Sequence, residues 1–245
     1  MGETGTLELE RLAAAVRALL SDALAQYGRL VYANSLGAEA MVLTHIIWSH
    51  LPQIEMFSID TGRLHAETHE LRALLERRYR RTLRVVSANP AALDELGARQ
   101  GTNAIYASVA ARLECCRTRK LGPFRRAIAG FPAWITGVRR EQSSGRAQGQ
   151  LLEWDTEHGL YKISPLLGWS EAQVWQFIRL HRLPYNPLHD RHFPSIGCAP
   201  CTRAIQPGES RRAGRWWWEQ PESRECGLHP RTYSAAAAVV AGVPA

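Results

Sequence analysis

The sequence predicts an α/β fold, in which helices cover both faces of a mostly parallel sheet. Short apolar runs, typical of buried strands, alternate along the chain with segments of helical periodicity. Two glycine-containing turns, NSLGAE and DTGR, follow the first two apolar runs. Because ligands of parallel sheets bind beyond the carboxyl ends of the strands, these turns are the first candidates for a binding site.

The predicted elements follow one another between residues 7 and 182. Strands are expected at 29–33, 54–60, 83–89, 133–140 and 160–166, and helices at 7–27, 38–49, 64–79 and 170–182. The first helix is predicted from an apolar stripe that includes Leu9, Val16 and Leu20. Ser170 is expected to cap the last helix, since a serine hydroxyl can accept a hydrogen bond from the first turn. From Leu183 onward the pattern stops and Pro, Gly, Cys and Trp crowd together, which predicts an irregular lobe.

Composition limits the kinds of partner. The 245 residues carry a net charge of +7, and Lys120 and Lys162 are the only lysines among 30 cations. A basic balance suggests an anionic ligand or a nucleic acid without choosing between them. No run approaches the ~20 apolar residues of a membrane span, and the N-terminus lacks the pattern of a secretory signal. The expectation is a soluble cytoplasmic protein whose thiols stay reduced.

Four of the five cysteines form two close pairs, Cys115 with Cys116 and Cys198 with Cys201. Four thiolates are enough for a zinc ion or an iron–sulfur cluster. Adjacent side chains rarely converge on one small tetrahedral ion, so the pattern favours a cluster. A redox-active Cys198–Cys201 dithiol stays open as an alternative.

Cations accompany these cysteines. If the stretch ECCRTRK is helical, Lys120 shares a face with Cys116, and Arg119 shares one with Cys115. Such cations would stabilise a negatively charged cluster or reach an anionic substrate. Arginine forks that suit phosphate and sulfate oxygens recur at Arg139, Arg140, Arg146, Arg211, Arg212 and Arg215. Of the three tryptophans at 216–218, at least two are expected to pack inside the irregular lobe.

The fifth cysteine, Cys226, lies in the polar stretch RECGLHP near the end of the chain. A four-thiolate site does not need it, and Gly227 leaves access to its sulfur. Because the thiolate is the nucleophile, a neighbouring cation such as His229 would favour reaction. The sequence therefore predicts a reactive thiol, with an incidental exposed cysteine as the alternative.

Taken together, these motifs resemble the assimilatory sulfonucleotide reductases, specifically the iron–sulfur adenosine 5'-phosphosulfate (APS) reductases. The resemblance runs from about Tyr32 to His229. It is carried by SLGAEAMVL, SIDTGRLHAET, ECCRTRK, WITGVRREQSSGR, LPYNPLHDR, SIGCAPCTR, GRWWWE and ECGLH. The double cysteine, the C-x-x-C pair and ECGLH are highly specific in combination, since the related 3'-phospho-APS (PAPS) reductases generally lack the four cluster cysteines.

The resemblance implies an adenine nucleotide alpha hydrolase-like fold and a reaction. It implies that Cys226 attacks the sulfur of APS, that AMP leaves, and that thioredoxin, an external protein here, releases sulfite from an S-sulfocysteine. A 4Fe-4S cluster is implied on Cys115, Cys116, Cys198 and Cys201, with Lys120 ordering the anion site beside it.

The resemblance also implies roles for residues that bind the substrate. Arg146, Arg212, Arg215 and His229 would hold the phosphosulfate, while Ser35, Gly37, Asp60, Thr61, Gly62 and Arg63 would frame the adenosine. Ala40 and Asn34 depart from the family pattern, which usually has an acidic residue and a serine at these positions. The predicted organisation is an N-terminal helix (1–28), a nucleotide-binding α/β domain (29–182), a cluster-binding and catalytic segment (183–230) and a disordered tail (231–245).

Other functions remain open at this point. A PAPS reductase, or an enzyme accepting both nucleotides, would share most of these motifs. A cluster-containing enzyme that modifies tRNA would use the basic segments on RNA but would not explain Cys226. A zinc-stabilised binding module would use only the cysteines. The resemblance favours an APS reductase that binds neither membrane nor nucleic acid, and it is compatible with a homo-oligomer.

Overall fold

A computed structural model of the chain describes residues 3–142, 146–220 and 224. The helices are α1 Glu3–Tyr27, α2 Ala38–His50, α3 Ala66–Tyr79, α4 Pro90–Gln100, α5 Val109–Cys116, α6 Gly122–Ile128 and α7 Glu171–Leu180. The strands are β1 Leu30–Asn34, β2 Glu55–Asp60, β3 Arg84–Ser87, β4 Ala133–Ile135, β5 Leu152–Asp155 and β6 Leu160–Ile163.

The six strands form one sheet in the order β3-β2-β1-β4-β6-β5. Every neighbouring pair is parallel except β5 with β6, which is antiparallel. The chain adds strands in one direction from β1 to β3 and then crosses to the other side of β1 to form β4. This reversal opens a crevice at the carboxyl ends of β1 and β4, where sheets of this type bind ligands.

Helices pack on both faces of the sheet, as predicted. Successive side chains of a strand point to opposite faces of the sheet. In β1, Leu30 and Tyr32 accordingly belong to one core cluster and Val31 belongs to the other. Helices α1, α2, α3 and α7 pack in the first cluster, and α6 packs in the second through Phe124 and neighbouring residues.

Several boundaries differ from the sequence-based expectation. The predicted strand at 133–140 ends at Ile135, because Gly137 lies against Glu39 and the chain turns there to line the crevice. Helix α4 was not predicted, although Asn89 caps it and Pro90 begins it, which are known start signals. Strand β5 was also missed. It is a short edge strand joined to β6 by a tight turn.

The segment between α5 and α6 is helical throughout, and its residues 117–121 form a π-helical turn. Ser170 caps α7 through a capping box with Gln173, as expected. Beyond α7, the described residues of the lobe form short 3₁₀ turns and an isolated bridge between Thr202 and Arg215. Cys226, His229 and the predicted tail at 231–245 lie outside the described residues, and the four-part domain division stays a prediction. In the described part of the chain, no helix is at once long and apolar enough to cross a membrane.

Candidate functional site

A cavity of about 240 Å³ lies between the carboxyl ends of β1, β2 and β4 and the irregular lobe. Phe57, Phe124 and Trp134 form part of its apolar wall. Ser35, Thr61, Lys120, Arg146, Arg212, Arg215, Cys116, Cys198 and Cys201 also line it. The fold thus brings residues from three separate sequence regions to one space.

The turn after β1 depends on Asn34, one of the two departures from the family pattern. Its side chain is buried, donates a hydrogen bond to Thr44 Oγ1 at 2.8 Å and accepts one from the Leu36 amide at 2.8 Å. Leu36 adopts a left-handed conformation with φ of 57°. Ser35 lines the cavity, whereas Gly37 is the N-cap of α2 behind it. The asparagine therefore fixes the shape of the turn that presents Ser35.

Glu39, which sequence reasoning overlooked, connects this turn to the arginine segment. Its carboxylate accepts hydrogen bonds from Arg139 Nε at 2.8 Å and from Gln142 Nε2 at 3.0 Å. Gln142 in turn accepts a hydrogen bond from Arg146, which lines the cavity. Arg139 is buried and holds this network together, whereas Arg146 lines the cavity. The two arginines therefore differ in role.

The DTGR turn after β2 lies between the cavity and the C-x-x-C pair. Asp60 Oδ1 accepts a hydrogen bond from the Gly62 amide at 2.8 Å, where φ of +69° favours glycine. Thr61 Oγ1 lies 3.2 Å from Cys198 Sγ, and the Arg63 carbonyl accepts a hydrogen bond from the Ala199 amide at 2.7 Å. Thr61 is the member of this turn that lines the cavity, and the turn as a whole holds the cysteine segment in place.

The four cysteines that sequence analysis grouped together pack in a single cluster around Ile105 and Trp216. Cys115 and Cys116 end α5, whereas Cys198 precedes the short turn Ala199–Cys201 and Cys201 ends it. Among the described residues, none of the four takes part in a disulfide. The fold therefore gathers two distant cysteine pairs into one apolar setting.

Burial and charge act in opposite directions on these thiols. Burial raises the pKa of Cys115, while Arg119 and Arg63 lower it and nearby Cys198 raises it. Burial raises the pKa of Cys201 to about 12, with Cys198 adding to the rise and Arg215 opposing it. Burial thus outweighs the neighbouring arginines at Cys115 and Cys201, whereas a bound metal centre holds its cysteine ligands as thiolates.

The four cysteine sulfurs of this group are donors of the kind that a 4Fe-4S cluster uses. Within residues 3–142, 146–220 and 224, no three His, Cys, Asp or Glu side chains are grouped as ligands of one metal ion. In a 4Fe-4S cluster each cysteine binds a different iron, so the four sulfurs surround a cube rather than a point. Trp218 Nε1 and Arg119 Nε are buried here without a hydrogen-bond partner among the described residues. Donors of this kind suit cluster sulfurs, whose hydrogen bonds tune such centres.

The cationic wall of the cavity comes from Lys120 and three arginines, Arg146, Arg212 and Arg215. Arg215 lies over the Trp216 ring, with Cζ 4.6 Å from the ring centroid. Arg212 donates a hydrogen bond at 3.2 Å to the carbonyl of Arg224, which is the last described residue before Cys226. Lys120 follows the cysteine pair on the π-helical turn, a feature often found at functional sites.

These features define a protein of the adenine nucleotide alpha hydrolase-like fold class with a cavity lined by cationic side chains. The chain belongs to the phosphoadenosine phosphosulfate reductase domain family, whose model matches residues 29–204. It is 53% identical over 224 residues to the adenosine 5'-phosphosulfate reductase of Allochromatium vinosum, covering 91% of this chain and 87% of that protein. It is 46% identical to the Burkholderia cepacia protein of the same name, covering 94% and 93%.

Solved structures agree on the fold. A phosphoadenylyl-sulfate reductase from Candida auris superposes with a TM-score of 0.66 at 22% identity, covering 84% of this chain and 98% of that one. A Candida glabrata FMN adenylyltransferase superposes with a TM-score of 0.58 at 14% identity, covering 95% and 82%. The predicted fold class is confirmed.

Proposed function

We propose that this protein reduces adenosine 5'-phosphosulfate to sulfite and AMP. The observation that carries the proposal is the meeting of a cationic wall and a cysteine cluster at one nucleotide-sized crevice. Lys120, Arg146, Arg212 and Arg215 line the same cavity as Cys116, Cys198 and Cys201. The names of the relatives support the same substrate.

The reaction joins two anions, and this explains the cationic wall. The thiolate of Cys226 attacks the sulfate sulfur, the bond from that sulfur to the bridging oxygen breaks, and AMP leaves with the electron pair. An S-sulfocysteine remains on the enzyme. Arginines aimed at the phosphosulfate offset the repulsion between thiolate and substrate, and they stabilise charge on the leaving phosphate. His229 joins them in this proposal.

The nucleoside part of the substrate would lie on the sheet side of the cavity. Ser35 and Thr61 offer hydroxyl groups there, and the apolar wall offers surface for a base. Gly37, Asp60, Gly62 and Arg63 support this side from behind, through the turns to which they belong.

Cys115, Cys116, Cys198 and Cys201 would hold the proposed 4Fe-4S cluster. When bound, the cluster would supply a fixed charge and sulfur acceptors beside Lys120, and the electrons of the reaction would come from thiols. An external thioredoxin, in the cytoplasm, would supply them. Its thiolate attacks Cys226 Sγ, sulfite leaves, and its second thiol resolves the mixed disulfide.

Mass spectrometry after incubation with APS and no reductant tests the proposal. The expected result is a sulfonate-sized adduct on Cys226 with release of one AMP, followed by sulfite once thioredoxin is added. The Cys226→Ser variant should bind AMP and form neither adduct nor sulfite. An adduct on another residue, or none, would contradict the nucleophile assignment. Parallel incubation with PAPS measures which nucleotide is preferred. If the adduct forms faster with PAPS than with APS, the preferred substrate is PAPS.

A further inference from the structure

Arg112 is a buried cation with no role in the scheme above. It lies on α5, three residues before Cys115 and four before Cys116, and 0% of its side chain is exposed. A buried guanidinium is costly unless it is paired and hydrogen bonded. Its partners therefore indicate what it holds in place.

Its principal partner is Glu219, whose side chain is 3% exposed. Arg112 donates from Nε to Oε1 at 2.9 Å and from Nη2 to Oε2 at 2.6 Å, which is a two-pronged ion pair. The same guanidinium lies over the Trp216 ring, 4.6 Å from its centroid. It is also hydrogen bonded to Cys116, and these contacts raise the pKa of Arg112 even though burial lowers it. One side chain thus joins a cysteine of the cluster to the segment that follows Trp216.

The contacts continue toward the nucleophile. The Glu219 carbonyl accepts hydrogen bonds from Arg224 Nε at 2.9 Å and Nη2 at 2.6 Å. The Arg224 carbonyl in turn accepts one from Arg212, which lines the cavity. Arg224 precedes Cys226 by two residues. An unbroken line of contacts therefore runs from Cys116 through Arg112 and Glu219 to Arg224, two residues before Cys226.

We propose that Arg112 and Glu219 are positioning residues that couple the cysteine site to the segment bearing the nucleophile. Arg112 orients the Cys116 sulfur, and Glu219 fixes the point from which the chain runs on to Cys226. Loss of order at the cysteine site then displaces the nucleophile, and this links the integrity of the site to catalysis without any electron transfer. The inference rests on the proposed function, because it takes Cys226 as the nucleophile.

Stability alone does not account for the pair. Replacing both members of a buried ion pair by apolar residues of similar size often leaves stability unchanged or improves it, whereas removing one member leaves an unpaired buried charge. A double replacement can therefore keep the fold while it removes the coupling. This separates a positioning role from a purely structural one.

The test compares the double variant Arg112→Met/Glu219→Leu with wild type and with Arg125→Met/Glu157→Leu. The control removes a more exposed ion pair between α6 and the β5–β6 turn, with Arg125 Nη2 3.0 Å from Glu157 Oε1. Four quantities are measured: the thermal midpoint, iron and sulfide content with the electron paramagnetic resonance spectrum, the dissociation constant for AMP, and the single-turnover rate of the Cys226 adduct. The first three do not depend on turnover.

The double variant should unfold cooperatively near the wild-type temperature and bind AMP as wild type does. Its spectrum or iron content should change, and its rate of adduct formation at saturating APS should fall about 10- to 100-fold, the range seen when groups supporting metal ligands are lost. The control should match wild type in all four.

A double variant with the wild-type spectrum and the wild-type rate of adduct formation would overturn the inference. Arg112 and Glu219 would then have only a structural role. If the double variant does not fold, Glu219→Gln takes its place, because it keeps the shape and removes the charge, and the same readouts decide. A wild-type protein with neither iron nor a Cys226 adduct would overturn the proposed function itself. If the wild type contains iron and forms the Cys226 adduct, and the double variant behaves like wild type, only the proposed coupling is overturned.

Discussion

The guanidinium of Arg215 occupies the space that a side chain at Gly197 would need. A methyl group on Gly197 would lie 2.6 Å from Arg215 Cζ, well inside contact distance. Gly197 precedes Cys198, the first cysteine of the C-x-x-C pair. Gly197 and Arg215 both line the cavity. The glycine of this motif therefore leaves room for Arg215 in the wall of the cavity.

Gly197→Ala should weaken nucleotide binding with little effect on folding. The methyl group meets a movable side chain, so Arg215 shifts while the backbone stays. Losing a hydrogen bond to a charged group costs about 1.5–3 kcal/mol, which corresponds to about a tenfold to hundredfold rise in the dissociation constant of AMP or APS by calorimetry. Gly97→Ala is the matched control, because the added methyl group on α4 meets no atom from another part of the protein within 4 Å. Equal affinity in both variants would show that Arg215 does not contact the nucleotide.

Lys120→Ala should lower kcat/KM far more than it lowers the thermal midpoint. Lys120 lines the cavity beside Cys116, where its charge can stabilise the transition state, and losing one such group typically costs about 100-fold or more in rate. Lys162, the other lysine of the chain, pairs with Glu153 across β5 and β6. Lys162→Ala should therefore leave kcat/KM close to wild type. Equal rates for the two variants would remove the proposed role of Lys120.

The local sequence pattern predicted much of this fold, because the spacing of apolar residues within a short segment distinguishes strands from helices. Apolar periodicity located five of the six strands, and the capping residue Ser170 was recognised by its position. The two cysteine pairs that the sequence analysis grouped do pack together, and their role as cluster ligands stays a prediction. Two of the three tryptophans pack against the cysteine cluster, as expected.

Long-range partnerships could not be predicted in this way. Glu39 and Arg139 are 100 residues apart and meet only because β4 lies beside β1. Nothing around Arg112 indicates that Glu219 will neutralise it, 107 residues later. The left-handed backbone of Leu36 is equally hidden, since leucine rarely adopts it.

Asn34→Ala should destabilise the protein by about 1–3 kcal/mol, because the buried Leu36 amide loses its acceptor. The substitution also frees the strained turn that presents Ser35, so affinity for AMP should fall together with stability. Urea unfolding and calorimetry measure the two effects. Asn34→Ser, which restores an acceptor and matches the family pattern, should recover part of both. Full stability in Asn34→Ala would show that the turn does not need this bond.

The stability of the protein should fall between pH 6.5 and about pH 4 because of His45. Burial lowers the pKa of His45 to about 4, and the nearby His181, Arg78 and His50 contribute in the same direction. Its Nδ1 lies 2.8 Å from the Tyr79 hydroxyl, in the packing between α2 and α3. In this range the unfolded chain binds a proton that the folded protein excludes, so stability is fully present above pH 6.5 and is lost as the pH falls.

The loss from His45 is smaller than the roughly 3 kcal/mol that this pKa change would give in a fully buried group, because solvent screens the half-buried ring. Urea unfolding at a series of pH values gives the slope directly. His45→Gln, which keeps a partner for Tyr79 but cannot be protonated, should flatten the curve between pH 4 and 6.5. His69→Gln removes an exposed histidine of α3 and should leave the slope as in wild type. An unchanged slope in His45→Gln would place the acid sensitivity elsewhere in the molecule.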